Sequence, residues 1–262
     1  MSKIKNDHLC SRIDDLITSL TSAVIFYTVL LLPIKWGNNW RRIARWSPII
    51  GWLIGLSLAL LEILLEIVGI PSLTRITLVV VAWIAITGGL HLDGAMDTAD
   101  GLAVTDPERR LEVMRDSHTG AFGAIAAMII LLLKTVALSE MSLPLWLVLP
   151  SVAGWARWGQ VWAIAFYPYL RATGKGAFHQ EHLRLPQDVL LGWIFLCGFS
   201  GFCLTADHLG WWQTGLMIMT NIAVTLLIGY WFKQKLGGHT GDTYGAVVEW
   251  SETFMLCLLT IF

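Results

Sequence analysis

Charge is scarce in this chain of 262 residues: Asp, Glu, Lys and Arg together make 14% of it, against 55% hydrophobic residues. A soluble domain carries about 25% charge, so a water-soluble globular protein is excluded. A basic surplus is also missing, since the net charge is -1, and nucleic acid is therefore not the expected partner. Cysteines number four (Cys10, Cys197, Cys203 and Cys257), and none forms a Cys-x-x-Cys pair. That removes a disulfide framework and a thiolate zinc site. Asp14 and Asp15 precede the first apolar run with no small-residue cleavage site after it, which argues against a signal peptide. Tandem repeats, low-complexity tracts and a nucleotide P-loop are absent as well.

What is abundant is apolar helix. Spans need about 20 mainly apolar residues, and 48–69, 76–92, 120–138, 144–166, 189–206, 211–232 and 245–262 qualify, which makes about seven. The expected fold is an all-α polytopic membrane bundle forming a single domain over 1–262. Trp36, Trp40, Trp46, Trp211 and Trp212 suit interfacial belts. The loops 35–47, 93–119, 167–188 and 233–244 would share one face, and they hold nearly all the loop arginines and lysines. This bias points that face to the cytoplasm. A full crossing by 16–32 would put the basic N-terminus (Lys3, Lys5, Arg12) outside, so this segment is expected to lie re-entrant or interfacial.

Three constellations stand out. The run His91-Leu-Asp-Gly-Ala-Met-Asp-Thr-Ala-Asp-Gly101 places Asp93, Asp97 and Asp100 at i, i+4 and i+7, one face of a helix. Carboxylates crowded in this way repel unless a cation sits among them, and in an apolar chain a divalent ion with a phosphorylated ligand fits best. A solvated acidic loop is the plain alternative. Beyond it lies Met114-Arg115-Asp116-Ser117, whose arginine can pair with phosphate oxygens.

The second constellation, Gly237 to Glu252, has four glycines in nine positions, then Gly241-Asp242, then Glu249 and Glu252 inside an apolar helix. Glycines free backbone N–H groups to face an anion, and acids within a span are costly unless used. A flexible loop with a helix cap at Asp242 or Thr243 weighs equally on residue types alone. The third is Arg157 within a span, followed by Tyr167-Pro168-Tyr169-Leu170-Arg171 and Lys175. A basic aromatic loop suits a phosphate or a stacked base, and equally a positive-inside anchor. Glu62 and Glu66 lie one turn apart near a span end, where Lys134 could pair with one of them. His179 and His182 read as loop residues without a third metal ligand.

Taken in order, these motifs resemble the cobalamin synthase family (adenosylcobinamide-GDP ribazoletransferase). The resemblance rests on Gly88-Gly89-Leu90-His91-Leu92-Asp93-Gly94 with Asp97 and Asp100-Gly101, on Met114-Arg115-Asp116-Ser117 with Gly120, and on Thr240-Gly241-Asp242 with Gly245-Ala246, Glu249 and Glu252. It implies a bacterial inner-membrane enzyme that joins adenosylcobinamide-GDP to α-ribazole or its 5′-phosphate and releases GMP with Mg²⁺. It assigns Asp93, Asp97, Asp100 and Asp116 to metal and catalysis, with Asp242 and Glu249 as further candidates for base or metal. Arg115, Arg157, Arg171, Lys175, Gly241 and Glu252 are expected to hold the ligand. A second copy of the chain, or the enzymes that supply the activated corrinoid, are open as partners. The alternatives are a Mg-dependent CDP-alcohol phosphotransferase and a cation-coupled transporter. The run shares the Asp-Gly start of the former without its Ala-Arg, and it lacks the matched halves of the latter.

Overall fold

A computed structural model describes residues 2–172, 174–205 and 210–262, with side chains from 14 onward except those of 34, 175, 204 and 205. The side chains of Lys3, Lys5, Cys10, Arg12 and Lys175 thus lie outside the described residues. The helices are α1 (Ser2–Tyr27), α2 (Ser47–Ile67), α3 (Ser72–Ile86), α4 (Leu90–Ala103), α5 (Arg110–Val113), α6 (Ala121–Ser139), α7 (Leu145–Phe166), α8 (Lys175–His182), α9 (Gln187–Thr205), α10 (Trp211–Leu236) and α11 (Gly241–Leu259). No strand occurs among the described residues.

The all-helical expectation holds. Among the described residues, three stretches are long and apolar enough to span: Ile43–Ile67, Ala121–Ser139 and Trp211–Leu236. Two bent pairs, α3 with α4 at 87° and α8 with α9 at 94°, raise this to five. Length and composition thus mark three to five candidate spans among the described residues, where seven were expected. The segment 76–92 is not one rod, because Gly88 (φ 61°) and Gly89 (φ 71°) take left-handed conformations that end α3 and turn the chain into α4. The segments 144–166 and 245–262 correspond to α7 and α11, which occupy the middle of the bundle. α7 packs on α2, α9, α10 and α11, and nearly all its residues are buried. A helix sheathed by other helices need not be apolar throughout, so it can carry Arg157 or Glu252.

α1 ends at Tyr27, and its apolar part, 16–27, is about 18 Å long at 1.5 Å per residue. That length falls short of the roughly 30 Å of a hydrocarbon core.

The buried charges find partners that spacing alone did not indicate. Arg75 takes Glu62 (2.6 Å) and Glu66 (3.3 Å). Lys134, expected beside one of those glutamates, instead reaches Glu249 (2.7 Å) and Glu252 (2.5 Å) from α6 into α11. Arg157 completes the group with Glu252 at 2.8 Å. Two cations thus balance two anions in the interior.

Candidate functional site

The helix that carries the aspartates meets the start of α11 at unusually short range. A Cβ on Gly94 would stand 2.5 Å from the Asp242 carbonyl oxygen, and one on Gly245 would stand 3.0 Å from that of His91. At Gly94 only glycine permits this contact, and at Gly245 a side chain would be tight. It sets Asp93 and Asp242 on the wall of one cavity of about 280 Å³, together with His91, Gln160, Arg171 and Tyr244.

α11 starts where it does because of a reciprocal cap. The Thr240 hydroxyl accepts from the Thr243 N–H (3.3 Å), and the Thr243 hydroxyl accepts from the Thr240 N–H (2.8 Å). This leaves Gly241 and Asp242 in the first turn, facing the cavity. Upstream, a two-bond bridge ties the loop after α7 to the loop before α11: Leu170 N–H donates to the His239 carbonyl and His239 N–H donates to the Pro168 carbonyl, both at 2.8 Å. Around it Tyr167, His239, Tyr244 and Tyr169 stack in a column with centroid spacings of 5.3, 5.5 and 6.0 Å. The bridge aims Arg171 at Asp242, which accepts from its guanidinium at 2.7 Å. Burial pushes the Asp242 carboxyl up from its ordinary value, and the Arg171 charge partly offsets this.

The aspartates of α4 divide by environment. Asp93 lines the cavity. Asp97 feels the negative charges of Asp93, Asp242 and Asp100 and the positive charge of Arg171. Asp100 faces elsewhere and accepts from the N–H groups of Gly120 and Gly123, both at 2.8 Å, at the start of α6. It holds the helix N-terminus that follows the loop. Asp116 and Arg115 are exposed on that loop. Asp116 pairs with His118 at 2.6 Å, which draws its carboxyl below the usual range and raises the imidazole.

Glu249, Glu252 and Arg157 are likewise away from the cavity, engaged with one another and with Lys134. Of the twelve site residues expected from the sequence, the cavity wall takes in Asp93, Arg171, Gly241 and Asp242. Among the described residues no three His, Cys, Asp or Glu side chains stand ready to hold a metal ion by themselves. The oxygen donors at the site still suit magnesium. That ion binds through one or two carboxylates and takes its remaining ligands from phosphate and water.

Several wall residues were not among the twelve expected site residues. His91 is buried, and neither ring nitrogen has a hydrogen-bond partner among the described residues. His179, read as a loop residue, is buried against Phe26 at the cavity edge. Tyr169, Tyr244 and Gln160 complete the wall. His91 lies within the motif Gly88 to Gly94. Tyr169 belongs to the basic aromatic loop and Tyr244 to the glycine-rich second constellation, whereas nothing local to the sequence gave Gln160 or His179 a place at the site.

Known proteins give the site its context. The family model described as cobalamin-5-phosphate synthase matches residues 19–260. A protein of Trichormus variabilis named adenosylcobinamide-GDP ribazoletransferase is 53% identical over 94% of this chain and 98% of its own length. Proteins of the same name from Synechococcus sp. (48%, covering 93% and 96%) and Brevibacillus brevis (36%, covering 90% and 95%) are also similar. No solved structure matches the chain at a significant level.

Proposed function

The chain belongs to the cobalamin-5-phosphate synthase family, and on that premise we propose how its cavity works as an adenosylcobinamide-GDP ribazoletransferase. A ribose hydroxyl of α-ribazole, or of its 5′-phosphate, attacks the phosphorus that carries cobinamide. A new P–O bond forms, the P–O–P bridge breaks, and GMP leaves with the bridging electron pair. One observation carries the placement: Asp93, Arg171 and Asp242, from three distant parts of the chain, meet on the wall of one cavity.

Arg171 pairs with a phosphate oxygen through its planar fork, and Asp242 keeps that fork turned toward the cavity. Asp93 and Asp97 would hold a magnesium ion against the diphosphate. Bound there, the ion supplies charge neutralisation for the oxygens that become more negative at the transition state. The hydroxyl proton passes to a base on the wall, for which the His91 ring, without a hydrogen-bond partner among the described residues, is at hand. Groups already in place before the charge develops do this most effectively. The loop bias toward arginine and lysine supports a site on the cytoplasmic side of a bacterial inner membrane. The CDP-alcohol and transporter readings have no observation of their own in their favour.

The test is GMP release by lipid-reconstituted protein carrying Asp97→Asn. The expected fall is on the order of 10²-fold, the scale of removing one preorganised charge-stabilising group. Undiminished release with unchanged magnesium dependence would take Asp97 out of the site.

A further inference from the structure

A second cavity system adjoins the first. The α4–α11 site shares Phe26, Gly174 and His179 with a neighbouring cavity of about 520 Å³. That cavity shares Trp40 and Phe178 with a third, a cleft of about 1010 Å³ between α1, the loop before α2 and the residues joining α8 to α9. The middle cavity is apolar and aromatic. The outer cleft is lined by Arg41, Arg42, Arg45 and Arg184, with Asp15 as the carboxylate on its wall.

These arginines are not all spent on the protein. Arg42 is: its Nε donates to Asp188 at 3.1 Å, its Nη2 makes a second contact there, and the Arg184 N–H donates to the same carboxylate at 2.8 Å. This junction pins the loop to the start of α9. It also holds Arg42 in a left-handed conformation (φ 56°), a strained state for a side chain of that size. Arg41, Arg45 and Arg184 have no ion pair among the described residues. The Arg45 Nε is buried without a hydrogen-bond partner there, its guanidinium lying 4.8 Å from the Trp46 ring. Three positive forks around one concavity, with a donor left open, suit an anion with several oxygens.

We propose that this cleft is a subsite for a phosphate monoester, the 5′-phosphate of the incoming ribazole nucleotide, and that the aromatic cavity between takes its flat base. The proposal rests on the reading above and extends it. The two phosphates of the activated corrinoid share a bridging oxygen, so both must lie at the reacting centre beside Arg171. An arginine cleft beyond an aromatic partition calls for a phosphate that is not displaced. A ribazole nucleotide has one, separated from its attacking hydroxyl by the sugar. Phe26, Trp40 and Phe178 can stack on a flat heterocycle. The anionic headgroup of a lipid such as phosphatidylglycerol shares the same chemistry, and the experiment separates the two sources.

The full chain is reconstituted in neutral phosphatidylcholine vesicles and in vesicles containing anionic phosphatidylglycerol. The quantity read is kcat/KM for α-ribazole 5′-phosphate divided by kcat/KM for α-ribazole. Arg41→Ala with Arg184→Ala removes two exposed forks, and Arg45→Gln tests the half-buried one separately. The ratio is expected to fall at least roughly tenfold in each variant and in both lipids, the loss of a charge-assisted contact. An unchanged ratio overturns the proposal, since a structural defect lowers both terms together. A fall confined to anionic vesicles overturns it in favour of a headgroup site. No GMP from either substrate with the unsubstituted protein would overturn the underlying reading, and the subsite with it.

Discussion

Replacing Lys134 by Met tests whether the interior glutamates serve structure or chemistry. The Lys134 ammonium touches Glu249 at 2.7 Å and Glu252 at 2.5 Å, and it lies 4.5 Å from the Trp83 ring centre. All four charged side chains of the group are at most 5% exposed. Removing the ammonium leaves two carboxylates and the single Arg157 cation, with Glu249 stripped of its ion pair. Breaking a buried pair from one side costs about 3–5 kcal/mol. For a protein of this size that corresponds to a melting temperature lower by roughly 6–20 °C. Glu249→Gln alone unbalances the group in the opposite sense and is expected to destabilise as well. The double variant Lys134→Met with Glu249→Gln restores neutrality around Arg157 and Glu252, so much of the loss should return. Melting followed by retention of monodisperse protein in detergent gives the four corners of the cycle. Additive losses, with no recovery in the double variant, would refute the reasoning. The cycle also bears on function. Glu249→Gln should keep turnover within about threefold of normal well below its melting point, whereas a base or metal ligand would lose on the order of 10².

Two further substitutions probe the α4–α11 junction. Gly94→Ala puts a methyl group 2.5 Å from the Asp242 carbonyl oxygen. Overpacking of that kind costs about 1–3 kcal/mol, so a lowered melting point and GMP release down more than about tenfold are expected, because a shift of this order at a positioning contact is costly. Normal release would show that the cavity does not need the close contact. Asp100→Asn weakens the acceptor for the Gly120 and Gly123 N–H groups and is expected to cost about 1–2 kcal/mol of stability as a lost cap. Magnesium titration of activity should be unchanged in that variant. A turnover loss as deep as that of Asp97→Asn, without loss of stability, would return Asp100 to the chemistry.

The residues that could be read from the chain were those whose signal is local. Asp93 and Asp97 lie on one helix as their spacing required, and Asp242 lies in the first turn after a Thr cap. The failures concern relations between distant elements. Asp100 fits the same helical spacing as its neighbours, but the chain returns after Gly120 to claim its oxygens. Lys134 chose its partners across a helix interface more than a hundred residues away, which no periodicity encodes. Gly88 and Gly89 were visible within an apolar stretch, yet hydropathy averages over them and reported one span where the chain turns by 87°. The arginines at 41, 42 and 45 were read as topological anchors. Their charge fits that reading, and only the fold shows that they line a cleft with Arg184.

The close approach at two glycines explains how the acidic run and the Thr-Gly-Asp segment come to share one cavity wall. Carboxylates on separate helices would gain nothing from proximity by themselves, since they repel and must be partly desolvated. Here the backbones are brought together by Gly94 and Gly245, where a larger residue would clash at the first and be tight at the second, and the bridge at His239 delivers Arg171 to relieve the repulsion. The attraction that holds the junction is packing, and the electrostatic cost stays at the cavity wall. A polyphosphate with a divalent cation is the kind of ligand that would lower that cost. With such a ligand bound, the junction would be more stable than when empty. Magnesium with a non-reactive diphosphate should accordingly raise the melting point, and Asp97→Asn should shrink that increment. An increment of the same size in both proteins would detach the acidic run from the ligand.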